Sequence, residues 1–325
     1  MIDNQYRLLY LEDVMGNCEI DLNSIALRCG LSNEIDQSEV LHNINELEEF
    51  YERENLVEIY NYLLETVSNP EYLVQIVKCS DSYRDGSMLS PIAKLLVRRP
   101  DEDSDEAINL RVICAKAIAN HKDTSYVTLL LDCMNNKNEN YKVRLACADA
   151  LGKIGDRFAV TPLINLVSDE NEKSVYLKES ATNALGVIGD LRAVEPLISI
   201  LDSKHGLFST FSFLKEKIIE ALGKLNVHND KIFDALRKSL MDESPMVRIN
   251  AIEALMNSDD YRAEDCIRIC LTDPDDEVKK NALIALYNLS DRGILDEVLN
   301  DEKYSQFLKD EAQTLIDEYE DEDAE

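Results

Sequence analysis

ADALGKIGDRFAV (148–160) returns 34 residues later as TNALGVIGDLRAV (182–194). Both copies carry Ala-Leu-Gly, then Gly-Asp, then Ala-Val. A spaced glycine pair invites two readings: a loop that cradles a phosphate, or the seam of a repeated unit. A dinucleotide fingerprint needs a strand before it and a helix opening on it. Here apolar residues at helical spacing lead into Gly152-x-x-Gly155 and Gly186-x-x-Gly189, so a helix ends on the glycines. Gly155 and Gly189 fit the position where a positive φ closes a helix. The stretch is therefore read as a seam.

Outward from the seam, a basic residue marks the helix before it. It recurs as Arg111, Arg144, Lys178, Lys215, Arg248, Lys279 and Lys309, at spacings of 33, 34, 37, 33, 31 and 30. Three residues on stand Cys114, Cys147, Ala181, Ile218, Ala251, Ala282 and Ala312; seven on stand Ile118, Leu151, Leu185, Leu222, Leu255, Leu286 and Ile316. Positions i, i+3 and i+7 share one helix face. The base lies at the edge of that stripe, its stem packed and its head able to pair with acids of adjacent units.

Twelve residues after the base comes Asp123, Asp156, Asp190, Asp260 or Asp291. Asp321 falls in the same register by coincidence, and the fourth unit departs from it with Val227. An Asp between two apolar-periodic runs predicts an N-cap, its carboxylate accepting amides of the next first turn. A second helix follows, as in RFAVTPLINLV and LRAVEPLISIL, with Pro162 and Pro196 early in it, where proline is best tolerated.

Two helices per unit at this period predict an all-α fold: a right-handed α-solenoid of about seven helical hairpins over residues 88–319. One hairpin cannot bury both its apolar faces, so stacking holds the array. Residues 1–87 read as a helical N-terminal region, either a cap or divergent repeats, including a long helix stopped at Asn69-Pro70 and a short one over 71–79. Half of the fourteen Tyr lie before residue 84, suited to core or to contact. Ser90-Pro91 reads as a cap opening a helix over 92–99. Residues 320–325 read as an acidic tail.

The pattern Val-Arg-x-x-Ala-x-x-Ala-Leu-Gly-x-[Ile/Leu]-Gly-Asp-x-x-Ala-Val-x-Pro-Leu-Ile resembles the HEAT family, in particular its PBS-lyase-like repeats. It stands in YKVRLACADALGKIGDRFAVTPLI and YLKESATNALGVIGDLRAVEPLI. The units from LKEKIIEALGKLNVHND onward lack the second Gly and are degenerate copies. The resemblance implies a concave face lined by the helices that carry the bases. It also implies, for the subgroup, attachment, isomerisation or removal of a bilin on phycobiliproteins, with bilin the sole cofactor in view.

Composition limits the function. The 325 residues carry 34 Lys+Arg against 64 Asp+Glu, a net charge of −30. Such a surface repels phosphate backbones and anionic membranes, and suits a partner protein with a basic surface. The start, MIDNQYRLLYLEDV, lacks a basic region followed by a long apolar run, and no run approaches the roughly 20 residues needed to span a bilayer. A cytoplasmic chain with reduced thiols, not inserted in a membrane, is expected. Cys266 and Cys270 are four apart on one helix, but no His or second Cys pair stands near, so no metal site is expected. His42, His121, His205 and His228 fit no ligand spacing, and no nucleophile elbow, HExxH or P-loop occurs.

Two surfaces are candidates for partner binding. The irregular stretch DSKHGLFSTFSFLKEK (202–217) sits in the longest spacing and places Phe208, Phe211 and Phe213 in or beside a longer inter-repeat turn. Five residues after the base, Asp149, Asn183, Glu220 and Glu253 form an acidic-to-polar row opposite the buried stripe. The leading expectation is a non-catalytic scaffold, adaptor or chaperone that binds another protein. A bilin lyase-like role is the alternative implied by the resemblance. A third reading, an acidic decoy of a nucleic-acid-binding protein, rests on charge. No motif specifies an oligomeric state.

Overall fold

A computed structural model of the chain describes residues 52–98, 104–203, 211–225, 229–290 and 293–322, with side chains described up to residue 318. Phe208, Asp291, His42, His205, His228 and Val227, and the side chain of Asp321, lie outside the described residues.

The described residues form sixteen α-helices and no strand. They are α1 (Arg53–Thr66), α2 (Pro70–Asp81), α3 (Leu89–Val97), α4 (Asp105–His121), α5 (Val127–Asn135), α6 (Tyr141–Ile154), α7 (Val160–Ser168) and α8 (Val175–Ile188). Next come α9 (Val194–Leu201), α10 (Ser212–Lys224), α11 (Asp230–Ser239), α12 (Pro245–Met256), α13 (Ala263–Arg268), α14 (Asp276–Leu289), α15 (Gly293–Asn300) and α16 (Gln306–Glu322). Two compact units divide the chain, one ending at Ile154 and one starting at Gly155. Within each, odd and even helices pair as antiparallel hairpins, and successive even helices stack: α2 on α4 on α6 in the first, α8 on α10 on α12 on α14 on α16 in the second. This is the α-solenoid plan.

The bases' helices, α4, α6, α8, α10, α12, α14 and α16, are the even ones, and their i+3 and i+7 residues are buried from α4 to α14. Each large apolar side chain so buried contributes about 1.5–3 kcal/mol. Small residues let the helices approach. A Cβ built on Gly186 of α8 falls 2.9 Å from the Ala221 Cα of α10, and one on Gly223 falls 3.1 Å from the Ala254 Cβ of α12.

The corner from an even helix to the next odd one repeats in detail. Asp85, Asp123, Asp156 and Asp190 each accept the amide two residues on, at 2.8–2.9 Å, and Asp260 accepts that of Arg262 at 3.0 Å. The first four cap a short 3-10 turn that leads into the odd helix, rather than the α-helix itself. The sequence expectation of a helix cap is thus displaced by one turn. Asp85 lies outside the predicted series. It gives α2 and α3 the same kind of corner. Ser90 is no cap: α3 starts at Leu89, with Asp85 capping the 86–88 turn and Pro91 third in the helix. Asn69 caps α2, accepting the Glu71 amide, while α1 ends earlier, at Thr66, with Val67 as its C-cap. At the other end α16 stays helical to Glu322, inside the predicted tail.

The residue before each corner Asp is left-handed: Arg84 (φ 53°), Lys122 (55°), Gly155 (79°), Gly189 (72°) and Asp259 (52°). Loss of the second glycine therefore did not remove the turn, but moved its backbone strain onto a residue with a Cβ. That conformation costs a non-glycine residue about 1–2 kcal/mol. Lys122→Gly is expected to raise the unfolding free energy by about 1 kcal/mol, and Gly189→Ala to lower it by a similar amount, in urea melts. No atom lies within 4 Å of a Cβ at Gly189, so the backbone alone sets that loss.

Candidate functional site

The even helices hold most of the residues singled out in the sequence, and their bases turn inward. Arg111 and Glu139, the latter in the α5–α6 turn, form a pair at 3.1 Å with side chains 2% and 4% exposed. Arg144 Nε donates to the Met134 carbonyl at the end of α5, at 2.7 Å. Lys178 Nζ donates to the carbonyls of Val167 and Asp169, and burial holds its pKa below the usual lysine range. Lys215 pairs with Asp242 at 2.8 Å. Arg248 donates to the Asp242 carbonyl at 2.8 Å and meets Asp273 at 2.7 Å. Lys279 pairs with Asp276 and lies over the Phe307 ring.

One geometry explains the set from Arg111 to Arg248, while Lys279 pairs within the first turn of its own helix. A cation near the start of an even helix sits under the odd-to-even turn. There it satisfies carbonyls left open at the end of the odd helix, or an acid in the following hairpin's turn. The acids Glu139, Asp242 and Asp273 have no fixed distance from the base, 28, 27 and 25 residues, which is why spacing did not single them out.

The acidic-to-polar row is less acidic than its sequence suggests. Asn183 and Glu220 both accept from Lys224, and Glu220 also accepts from Lys217. Burial works against the Glu220 charge, but those two lysines outweigh it and hold its pKa below the ordinary glutamate value. Glu253 is exposed in the same register of α12. Asp149, in the first unit, lines a recess between α4 and α6.

Phe211 and Phe213 open α10 with ring centroids 5.8 Å apart; Phe211 is exposed and Phe213 half-buried. They do not stand alone. Two residues before the base, α8 carries Tyr176 (64% exposed), α10 carries Phe213 and α12 carries Met246 (51%), with Met241 (78%) in the turn before α12. This apolar row follows the odd-to-even turns of three successive hairpins. The sequence reading found its middle and missed Tyr176 and Met246; the signal was their equal offset from the base. The opposite corners carry other exposed groups: Phe158, Leu191 and Tyr261.

Corner charges are mutually satisfied. Arg192 grips Asp190 through Nε and Nη2, lowering that carboxyl to about 2, and reaches the Arg157 carbonyl. Arg262 bridges Asp260 and Asp230 and lies over the Phe233 ring. The described cysteines are free thiols. Burial raises Cys114, and pushes Cys270 up to about 11, away from thiolate chemistry. Among the described residues no cluster of three or more His, Cys, Asp or Glu could hold a metal, and no helix is long and apolar enough to cross a membrane.

The model for HEAT repeats matches residues 89–176, 137–208 and 211–304. The chain belongs to the HEAT-repeat family. No curated protein matches it by sequence. Among solved structures it is similar to the Kap121p mutant D353K/E396K/D438K, with a TM-score of 0.52 and 14% identity, over 91% of this chain and 37% of that one. It is also similar to the CpcE–CpcF complex of phycocyanin lyase from Nostoc sp. PCC7120 (TM-score 0.46, 19% identity, 81% and 94% covered). A third is the archaeal HEAT-like repeats protein from Thermococcus onnurineus NA1 (0.42, 17%, 70% and 95%). The likeness to the Kap121p structure shows the fold alone. In this HEAT protein the bases from Arg111 to Lys279 are engaged within the stack, while Tyr176, Phe211 and Met246 stay exposed on one set of turns and Phe158, Leu191 and Tyr261 on the other.

Proposed function

We propose that this HEAT protein is a non-catalytic scaffold, adaptor or chaperone of the cytoplasm. It holds a partner protein along the odd-to-even turns of its second unit. The observation that carries the reading is the row Tyr176, Phe211, Phe213 and Met246. Stacking does not need these groups exposed, and large rigid or adaptable apolar side chains make good anchors. Asn183, Glu220 and Glu253 flank the row, and the exposed Glu253 favours a basic group on the partner's rim.

The test is quantitative affinity capture from the native host, comparing wild type with Tyr176→Ser/Phe211→Ser/Met246→Ser. The triple variant is expected to lose its partner by about tenfold or more. A Leu191→Ser/Tyr261→Ser variant, altered at the opposite corners, should keep it. Equal capture by wild type and the triple variant would overturn the reading, and loss in the corner variant alone would move the site to the other edge.

The alternative is a bilin lyase-like or phycobilisome-associated role, supported by the resemblance of the Ala-Leu-Gly-x-Ile-Gly-Asp corners at 150–156 and 184–190 to PBS-lyase-like repeats. Under it, co-expression with a bilin source and an acceptor phycobiliprotein should give retained visible absorbance, and no absorbance would count against it.

A further inference from the structure

A recess of about 420 Å³ opens on the first unit between α4 and α6. The two helices run parallel, since antiparallel α5 separates them in the chain. Val112 and Leu145 line it, each directly after a base, and both stay half-buried. The same position holds Glu179, Glu216 and Lys280 in α8, α10 and α14, and the half-buried Ile249 in α12. Only in α4 and α6 do two neighbouring described helices both place an apolar residue there.

The rim is ordered. Asp105 on α4 and Lys142 on α6 lie at the N-terminal end of the recess; Lys116 on α4 and Asp149 on α6 lie at the other. Going from the N-terminal to the C-terminal end, α4 therefore reads negative then positive, and α6 positive then negative. A four-cornered pattern of this kind matches itself. A two-fold axis along the recess sets Asp105 over a second Lys142 and Lys116 over a second Asp149. A two-fold axis across it sets Asp105 over a second Lys116 and Lys142 over a second Asp149. Either rotation also lays Val112 and Leu145 against their copies or each other, as a self-complementary two-fold interface requires.

Charge elsewhere favours this location. Residues 104–154 hold seven Lys and Arg against six Asp and Glu, in a chain of net charge −30. Two such chains meet with least repulsion at a locally balanced face. We propose that a second copy of this chain covers the recess, α4 and α6 of one protomer against α4 and α6 of the other. The proposal is independent of the partner reading, which concerns the second unit.

Sedimentation velocity of the full chain tests it, at about 0.15 M salt, where screening beyond about 8 Å damps the distant acids. Over about 1–200 µM the wild type is expected to pass from monomer to dimer, as weak interfaces do. Leu145→Asp should weaken association by about tenfold or more. Lys116→Glu, at an exposed position, should do the same by facing like charge; Lys116→Glu/Asp149→Lys should restore the dimer where the two-fold axis runs along the recess, and Lys116→Glu/Asp105→Lys where it runs across. A wild type that stays monomeric throughout, or a dimer indifferent to both single substitutions, would overturn the proposal.

Discussion

Arg111→Met is expected to lower the unfolding free energy by about 3–5 kcal/mol, read from urea melts and from faster hydrogen exchange in α4 to α6. Methionine keeps much of the side-chain volume, so the change isolates the charge. Glu139 Oε1 accepts from Arg111 at 3.1 Å and from the Asn140 amide at 2.8 Å, and its side chain is 4% exposed. Without the guanidinium its carboxylate loses a neutralising charge in a site that water barely reaches. Arg111→Met/Glu139→Gln should recover a large part of the loss, because a buried pair removed together costs far less than one partner removed alone. Lys94→Ala, which breaks the exposed pair with Glu65, should change stability by about 1 kcal/mol or less. A loss as small for Arg111→Met would mean that solvent reaches Glu139.

Gly186→Ala is expected to cost about 1–3 kcal/mol, although alanine is the better helix former by about 1 kcal/mol. The new methyl would stand 2.9 Å from the Ala221 Cα, a backbone atom that no rotamer change can move, and 3.1 Å from its Cβ. Relief requires α8 and α10 to separate, and that loosens the apolar contacts between them. Gly223→Ala is the control. Its methyl meets only the Ala254 Cβ at 3.1 Å, with that residue's Cα at 3.6 Å, so a small shift suffices and the propensity gain offsets the contact. Thermal melts should place Gly186→Ala well below wild type and Gly223→Ala close to it. Equal behaviour of the two would show that helix spacing here is not set by the glycine contact.

Much of the molecule is legible in its residues alone. The offsets of three and seven residues from each base follow from helix periodicity, and Asp156 and Asp190 as caps follow from the chemistry of a first turn. These are local properties, carried by residues within a few positions of one another. The left-handed turn at Lys122 and Asp259 was not legible, because a residue with a Cβ adopts positive φ only when the packed hairpins on either side impose it. Nor was the role of Glu139, Asp242 and Asp273, since turn lengths vary and the base finds whichever acid the next hairpin brings within reach.

The same division holds at the surface. Glu220 reads as a free acid in sequence, and becomes the partner of Lys217 and Lys224 once α10 coils them onto one side. Tyr176, Phe213 and Met246 share one offset from the base in the sequence, but that they stay at the surface as one row is decided only when three helices stack in register. That the chain repeats, that its units are pairs of helices, and where their seams fall can all be read from the order of residues, because those facts rest on short-range periodicity. Which charges are consumed inside the stack, and which side chains stay exposed as a row, emerges only from packing, because both depend on neighbours a full repeat away in the chain.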